Sequence, residues 1–254
     1  MGDVSFGWPS GDYMSASSLK KFNACELQYW FHYVEDADAP DIETPPLILG
    51  TAVHEAIENV LSTYGVPEMD QSNIREMLDD EYTKPDQGLP SWAQKRVNTC
   101  LDTASRFLES RSIGLRGVEK KISYDFDKVD GEPQRMFAIC DAVTDEGIWD
   151  WKTGKVRVYD EQLQASVYAA AYEAAYGEPP ESVQFVYLKD GKVRKQYPGD
   201  ELYSKAADQI EGIRASHDSN DWEASPGDPC SWCSYEGMCS ETPVGLGDVP
   251  WEVW

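Results

Sequence analysis

The order of periodicities along this chain predicts a protein that mixes α-helices with a β-sheet. Two runs of strand formers are each joined by a tight-turn signal, Asp145-Glu146-Gly147 and Asp190-Gly191, so each reads as a hairpin. Apolar residues at helical spacing precede, separate and follow those hairpins. With 254 residues and 41% hydrophobic content, the chain can bury a full core, and it is expected to form one domain over 1–254.

Residues 15–34 open with Ser15 or Ser17 as a helix cap and run through Leu19 and Phe22 into a dense aromatic segment that holds Cys25 and His32. Residues 36–46 read as an acidic, proline-containing linker. Over 50–65, Val53, Ala56, Ile57, Val60, Leu61 and Tyr64 recur at helical spacing, with Thr51 as N-cap and His54 in the first turn. Residues 70–112 form a helical insertion with patterns at 74–82 and 92–108 around a breaker at 84–88; it carries packing and no chemistry. Strands follow at 119–126 and 135–143. Asp160 caps a helix that ends at Tyr176 before Gly177, and Gln164 and Tyr168, four apart, project from one face of it while the opposite stripe is alanine-rich. A second hairpin at 182–197 turns at Asp190-Gly191, 201–217 is a closing helix, and 241–254 is a tail.

The chemistry concentrates in 141–155, DAVTDEGIWDWKTGK. A turn centred between Asp145 and Glu146 sets Asp141 opposite Asp150 on adjacent strands, with side chains about 5 Å apart. A slip of one residue sends one carboxylate to the other face. Along the second strand Asp150 and Lys152 alternate with Trp149 and Trp151, which places the charges on one face and the indoles on the other. Two carboxylates that close repel unless a cation lies between them, and hard oxygen ligands select Mg²⁺ or Mn²⁺. Glu119 is placed to face the same site. An isolated Asp-x-Lys is more often a solvated surface pair, so the remaining motifs decide its meaning.

The C-terminal stretch CSWCSYEGMC brings Cys230, Cys233 and Cys239 together, a spacing that argues for a metal site over disulfides. A zinc ribbon needs a second Cys-x-x-Cys pair, which the chain lacks. Cys140 points away from Asp141 into the core and Cys100 lies among apolar helix neighbours, which leaves Cys25 as fourth ligand and makes the site a clip between the two chain ends.

Lys plus Arg total 22 against 46 Asp plus Glu, a formal charge of −24 that opposes non-specific attraction to nucleic acid at ordinary salt. Such an acidic composition suits concentrated salt, so a halophilic archaeal or viral source is expected. Local basic groups remain to guide a strand: Lys20 with Lys21, Lys152 with Lys155 and Arg157, and Lys189, Lys192, Arg194 and Lys195. No basic segment followed by an apolar run opens the sequence and no stretch approaches a membrane span, so a cytoplasmic location without membrane contact is expected.

Taken together these motifs resemble the PD-(D/E)XK nuclease superfamily, in particular the RecB-like iron–sulfur exonucleases that include the CRISPR-associated Cas-four proteins and the AddB nuclease domain. His54 in GTAVHEAIE resembles the family's Gly-x-x-x-His helix, Asp141 the first metal carboxylate, Asp150-Trp151-Lys152 the (D/E)XK element, and Gln164 with Tyr168 the Gln-x-x-x-Tyr helix. Cys25, Cys230, Cys233 and Cys239 resemble its one-plus-three [4Fe–4S] ligand set. The resemblance implies an α/β, restriction-endonuclease-like core, a central mixed sheet flanked by helices, with a [4Fe–4S] cluster joining 15–34 to 221–240. It implies Mg²⁺ or Mn²⁺ held by His54, Asp141, Asp150 and the Trp151 backbone carbonyl, with Lys152, Gln164 and Tyr168 acting on the substrate. DNA, as single strands or ends, is the implied partner, alongside CRISPR adaptation or recombination proteins. Ala138 and Ile139 stand where the family usually has glycine. A nucleic-acid-binding or scaffold subunit with an idle nuclease fold, and zinc in the cysteine site, remain alternative readings.

Overall fold

The computed structural model describes residues 13–39, 43–66, 72–85, 88–227, 230 and 233–241. The expected tail beyond 241, and parts of the 36–46 linker, the 84–88 breaker and the cysteine segment, lie outside the described residues.

A six-stranded mixed sheet forms the centre. Its strands are β1 (Met14–Ser15), β2 (Leu115–Phe126), β3 (Gln134–Thr144), β4 (Gly147–Lys152), β5 (Ser182–Tyr187) and β6 (Lys192–Gln196). β2 lies antiparallel along the length of β3. The other edge of β3 is shared, with β1 parallel to its start at Met136 and Phe137 and β4 antiparallel to its end at Ala142 and Val143. β5 then runs parallel to β4, and β6 antiparallel to β5.

Among the described residues the seven longer helices are α1 (Ala16–Ala24), α2 (Glu26–Tyr33), α3 (Pro45–Tyr64), α4 (Ile74–Glu81), α5 (Ser91–Glu109), α6 (Val158–Tyr176) and α7 (Asp200–Ser219). They form two layers, because the sheet buries both faces. Ile148, Val183, Phe185 and Tyr187 share a core with α1, α6 and α7. Trp149, Trp151 and Val186 share one with α3, α4 and α5, where the Phe107 ring meets both indoles edge-on at 5.1 and 5.6 Å. The alternation along β4 thus sends the two tryptophans to one layer, as their spacing predicts. Cys100 and Cys140 are fully buried, also as expected.

Local chemistry moves several boundaries. The 15–34 segment is two helices, not one: Cys25 is extended, its N–H closing α1 on Lys21 and its carbonyl opening α2 by accepting from Tyr29. Ser15, rather than Ser17, caps α1 through a reciprocal box with Ser18. α3 starts six residues before the expected Thr51 cap, with Thr44 at the N-cap, because Pro45 and Pro46 suit a first turn whose N–H groups have no intrahelical acceptor. Arg157, not Asp160, stands at the N-cap of α6, and Asp160 sits in the first turn, where its charge favours the helix dipole. The second hairpin has no two-residue turn: Tyr187 pairs Lys192, because Leu188 stays bonded to β4 through the Lys152 carbonyl and leaves β6 early.

Among the described residues no helix is long and apolar enough to cross a membrane.

Candidate active site

Thr144 and Gly147 flank a two-residue turn that fixes the β3–β4 register. Only glycine fits at 147, where an added Cβ would lie 2.1 Å from the Ser182 carbonyl oxygen. Ala142 then pairs Trp149 and Val143 pairs Ile148, and the same register sets Asp141 across from Asp150. Beyond these two pairs the ladder opens. Asp141 bridges the gap by accepting the Trp151 N–H on Oδ2 at 2.8 Å. The site occupies this splayed end of the hairpin.

α3 supplies His54 from one side. Its close approach begins at Gly50, where an added Cβ would stand 3.3 Å from Thr153 Oγ1, tighter than ordinary packing. One turn later His54 Nδ1 lies 3.5 Å from Asp141 Oδ2. Burial holds this imidazole below its ordinary pKa, with the Asp150 carboxylate and the Trp151 backbone opposing that shift. Glu119 enters from β2. Each of His54, Glu119 and Asp141 offers one ligand atom within 4.8 Å of the others. Glu119 has φ +43°, a conformation uncommon for a non-glycine residue and costly inside a strand. Burial, followed by Asp150, pushes Asp141 well above the usual carboxylate range. Burial, Glu58 and Asp150 push Glu119 the same way.

α6 closes the other side. Gln164 Nε2 donates to Asp150 Oδ1 and to the Tyr168 hydroxyl, each at 2.7 Å, and its Oε1 accepts from Lys152 Nζ at 2.9 Å and Lys20 Nζ at 3.2 Å. All four hydrogen-bonding positions of this amide are therefore used. Tyr168 donates in turn to the Ile139 carbonyl at 2.7 Å. Asp150 is buried and pairs with Lys152 Nζ at 2.5 Å. Gln164 and Tyr168 do share a face, but it is the buried one. The Tyr168 ring is 5% exposed, and its hydroxyl is engaged by Gln164 and the Ile139 carbonyl.

The family model for the PD-(D/E)XK nuclease superfamily matches residues 13–240. The chain belongs to that superfamily. Among solved structures, a candidate exonuclease from Eubacterium rectale shares its fold, with a TM-score of 0.59 and 14% identity over 97% of each chain. A protein named SSO0001 aligns with a TM-score of 0.43 and 11% identity over 93% of this chain and 90% of its own. No curated protein sequence matches.

In this PD-(D/E)XK chain the donor set fits a hard divalent cation. Asp141, Glu119 and Asp150 crowd together in a poorly solvated cleft, and Asp150 Oδ2, despite its ionic contact with Lys152, receives no aligned hydrogen bond. A cation among them relieves both conditions.

The four expected cysteine ligands meet elsewhere. Cys25, Cys230, Cys233 and Cys239 line one small, partly open pocket between α2 and the C-terminal segment, and none is in a disulfide. Gln28 Nε2 donates to Cys233 Sγ at 3.5 Å, and Ser225 N donates to Cys25 Sγ at 3.4 Å. Tyr235 stacks on Phe31 at 5.4 Å, and its hydroxyl lies 2.7 Å from Nδ1 of His32, a residue whose partner the sequence did not reveal. The four thiols line this pocket without closing on one another: among the described residues, the group of three candidate ligand atoms within 4.8 Å is His54, Glu119 and Asp141, not a cysteine set.

Two groups at the carboxylate site were not among the expected ligands or catalytic residues. Lys20 reads in sequence as half of a Lys-Lys pair able to guide a strand, and no periodicity aims it at Gln164. Glu119 was placed facing the site, but nothing in the pattern of its strand signals a ligand or a left-handed backbone.

Proposed function

We propose that this chain is a metal-dependent deoxyribonuclease of the RecB-like iron–sulfur type, acting as an exonuclease on single-stranded DNA or DNA ends. The observation that carries the reading is the continuous network Ile139–Tyr168–Gln164–Asp150–Lys152 beside the His54, Glu119 and Asp141 cluster. It joins the His54, Asp141, Asp150-x-Lys152 and Gln164-x-x-x-Tyr168 motifs on one cleft. His54, Asp141, Asp150 and the Trp151 backbone carbonyl would hold Mg²⁺ or Mn²⁺. When bound, such an ion lowers the pKa of a coordinated water and offsets charge on the phosphate. Lys152, as its ammonium, orients the attacking water and stabilises the charge developing on phosphorus oxygens. Gln164 fixes the Lys152 ammonium against Asp150, and Tyr168 fixes Gln164 to the sheet.

Cys25, Cys230, Cys233 and Cys239 would hold a [4Fe–4S] cluster, which supplies a structural clamp on 15–34 and 221–240. Partners are recombination or CRISPR adaptation proteins, and the setting is the cytoplasm of a halophilic archaeon or its virus, where high salt quiets the −24 charge.

The test is digestion of end-labelled single- and double-stranded DNA with Mn²⁺ or Mg²⁺ at low and high salt, using wild type and Lys152→Ala. Release of the label that needs both the metal and Lys152 supports the proposal. Wild-type protein with intact cluster absorbance that cleaves nothing at any salt overturns it. Iron content and visible colour of anaerobic protein separate the cluster from zinc.

A further inference from the structure

Lys20 lies in α1, far in sequence from the carboxylate and Gln-x-x-x-Tyr motifs, yet its Nζ donates to Gln164 Oε1, the same oxygen that accepts from Lys152. Two ammonium groups converging on one neutral carbonyl repel each other. That repulsion, added to burial, lowers the Lys20 pKa, while Asp150 and Asp160 oppose the shift at longer range. Arg157 adds a third positive charge on the same side. The chain carries 46 acidic residues, yet among the described residues Lys20 forms no ion pair, and Gln164 Oε1 is its one hydrogen-bond acceptor. Two of its three N–H donors thus have no protein acceptor there. Lysines in such a chain readily find carboxylates, as Lys152, Lys128 and Lys192 do. A half-buried lysine left unpaired beside a second lysine forms a preorganised anion site.

We infer that Lys20 is a second phosphate-binding lysine of this nuclease, gripping a backbone phosphate of the bound strand next to the one Lys152 serves. The inference rests on the nuclease reading and adds a substrate contact from outside the (D/E)XK element. A phosphate oxygen arriving at each ammonium offsets their mutual repulsion with a charge-assisted hydrogen bond. Gln164 holds both lysines in place and so sets the spacing between the reacting phosphate and its neighbour. The same helix ends at Cys25, which ties the depth at which Lys20 enters the cleft to the cysteine pocket.

The experiment measures binding of a short fluorescein-labelled single-stranded oligonucleotide in Ca²⁺ by anisotropy across a salt series, for full-length wild type, Lys20→Gln and Lys20→Arg. Lys20→Gln should weaken binding about 10-fold and flatten the log K against log salt slope by about 0.7, the loss of one phosphate contact on a single strand. Lys20→Arg keeps the charge and should restore most of both. With Mn²⁺, Lys20→Gln should raise KM about 10-fold and leave kcat within about 3-fold, a split that a structural fault at Gln164 does not give. Wild-type affinity and slope in Lys20→Gln overturn the inference, and if Lys152→Ala still abolishes cleavage the nuclease reading stands without it. Equal weakening by glutamine and arginine overturns it in favour of a packing role. A wild type that neither binds nor cleaves DNA overturns both.

Discussion

Asp141, Asp150 and Lys152 sit on two consecutive strands whose backbone ladder sets their separation, and Trp151 N–H locks Asp141 directly. The cysteine pocket is assembled otherwise: Gln28 and Cys233 are 205 positions apart and meet through side chains. Among the described residues the backbone bond across that junction is Leu27 N–H to the Glu223 carbonyl at 3.1 Å. Local register can hold the first site in place without a ligand. The second joins two chain ends and must overcome the entropy of closing a loop nearly as long as the protein. A bound centre is the expected source of that stabilisation, so ligand loss should affect the two regions differently.

The largest expected effect isolates the carboxylate site. Lys152→Ala should slow DNA cleavage at least about 100-fold, since it removes a charge aligned on the reacting phosphate. Far-UV circular dichroism and cluster absorbance should not change, because Lys152 lies at the end of β4 and is partly exposed. Cys233→Ala should do the opposite. Visible absorbance should vanish and the melting midpoint fall by about 5–10 °C, corresponding to about 2–4 kcal/mol in a chain of this size. Near-normal cleavage should persist at low temperature. Loss of absorbance with an unmoved midpoint would break the comparison, by showing that the pocket does not hold the ends together.

Two smaller changes sharpen it. Tyr168→Phe removes the hydroxyl that bridges Gln164 and the Ile139 carbonyl, leaving a buried acceptor without a donor. Urea unfolding should register a loss of about 1–3 kcal/mol, and cleavage should slow about 10-fold as Gln164 loses its anchor. Glu119→Gly should act in the other direction on stability. It relieves the left-handed backbone at 119 and removes a carboxylate that crowds Asp141, so the metal-free protein should gain about 1 kcal/mol in thermal or urea melts. Mn²⁺ affinity, followed by titration calorimetry, should fall in the same variant. A loss of stability would instead show that Glu119 anchors β2.

Period-two alternation and one tight turn sufficed to place Asp141 opposite Asp150 and to bury Trp149 and Trp151, because strand geometry and hairpin register act over a few residues. Helical spacing likewise put Gln164 and Tyr168 on one face, but nothing in that spacing told whether the face was wet, since burial depends on which layer packs there. The break at Cys25 and the start of α3 at Pro45 were obscured for a related reason: a cap is a choice among neighbouring candidates that tertiary contacts settle. Asp190-Gly191 carries the letters of a two-residue turn, yet Leu188 stayed on β4 because a parallel neighbour competed for its N–H. Lys20 and the strained Glu119 were fixed only by the folded chain. Both reach the cleft through contacts between distant segments, and a linear pattern carries no record of those distances. The sequence by itself determined the periodicities, the carboxylate register and the four candidate thiols. The tertiary structure decided that β3 and β4 part at Asp141, that Gln164 binds two lysines, and that α1 connects the cysteine pocket to the cleft, because each requires elements remote in sequence to pack together.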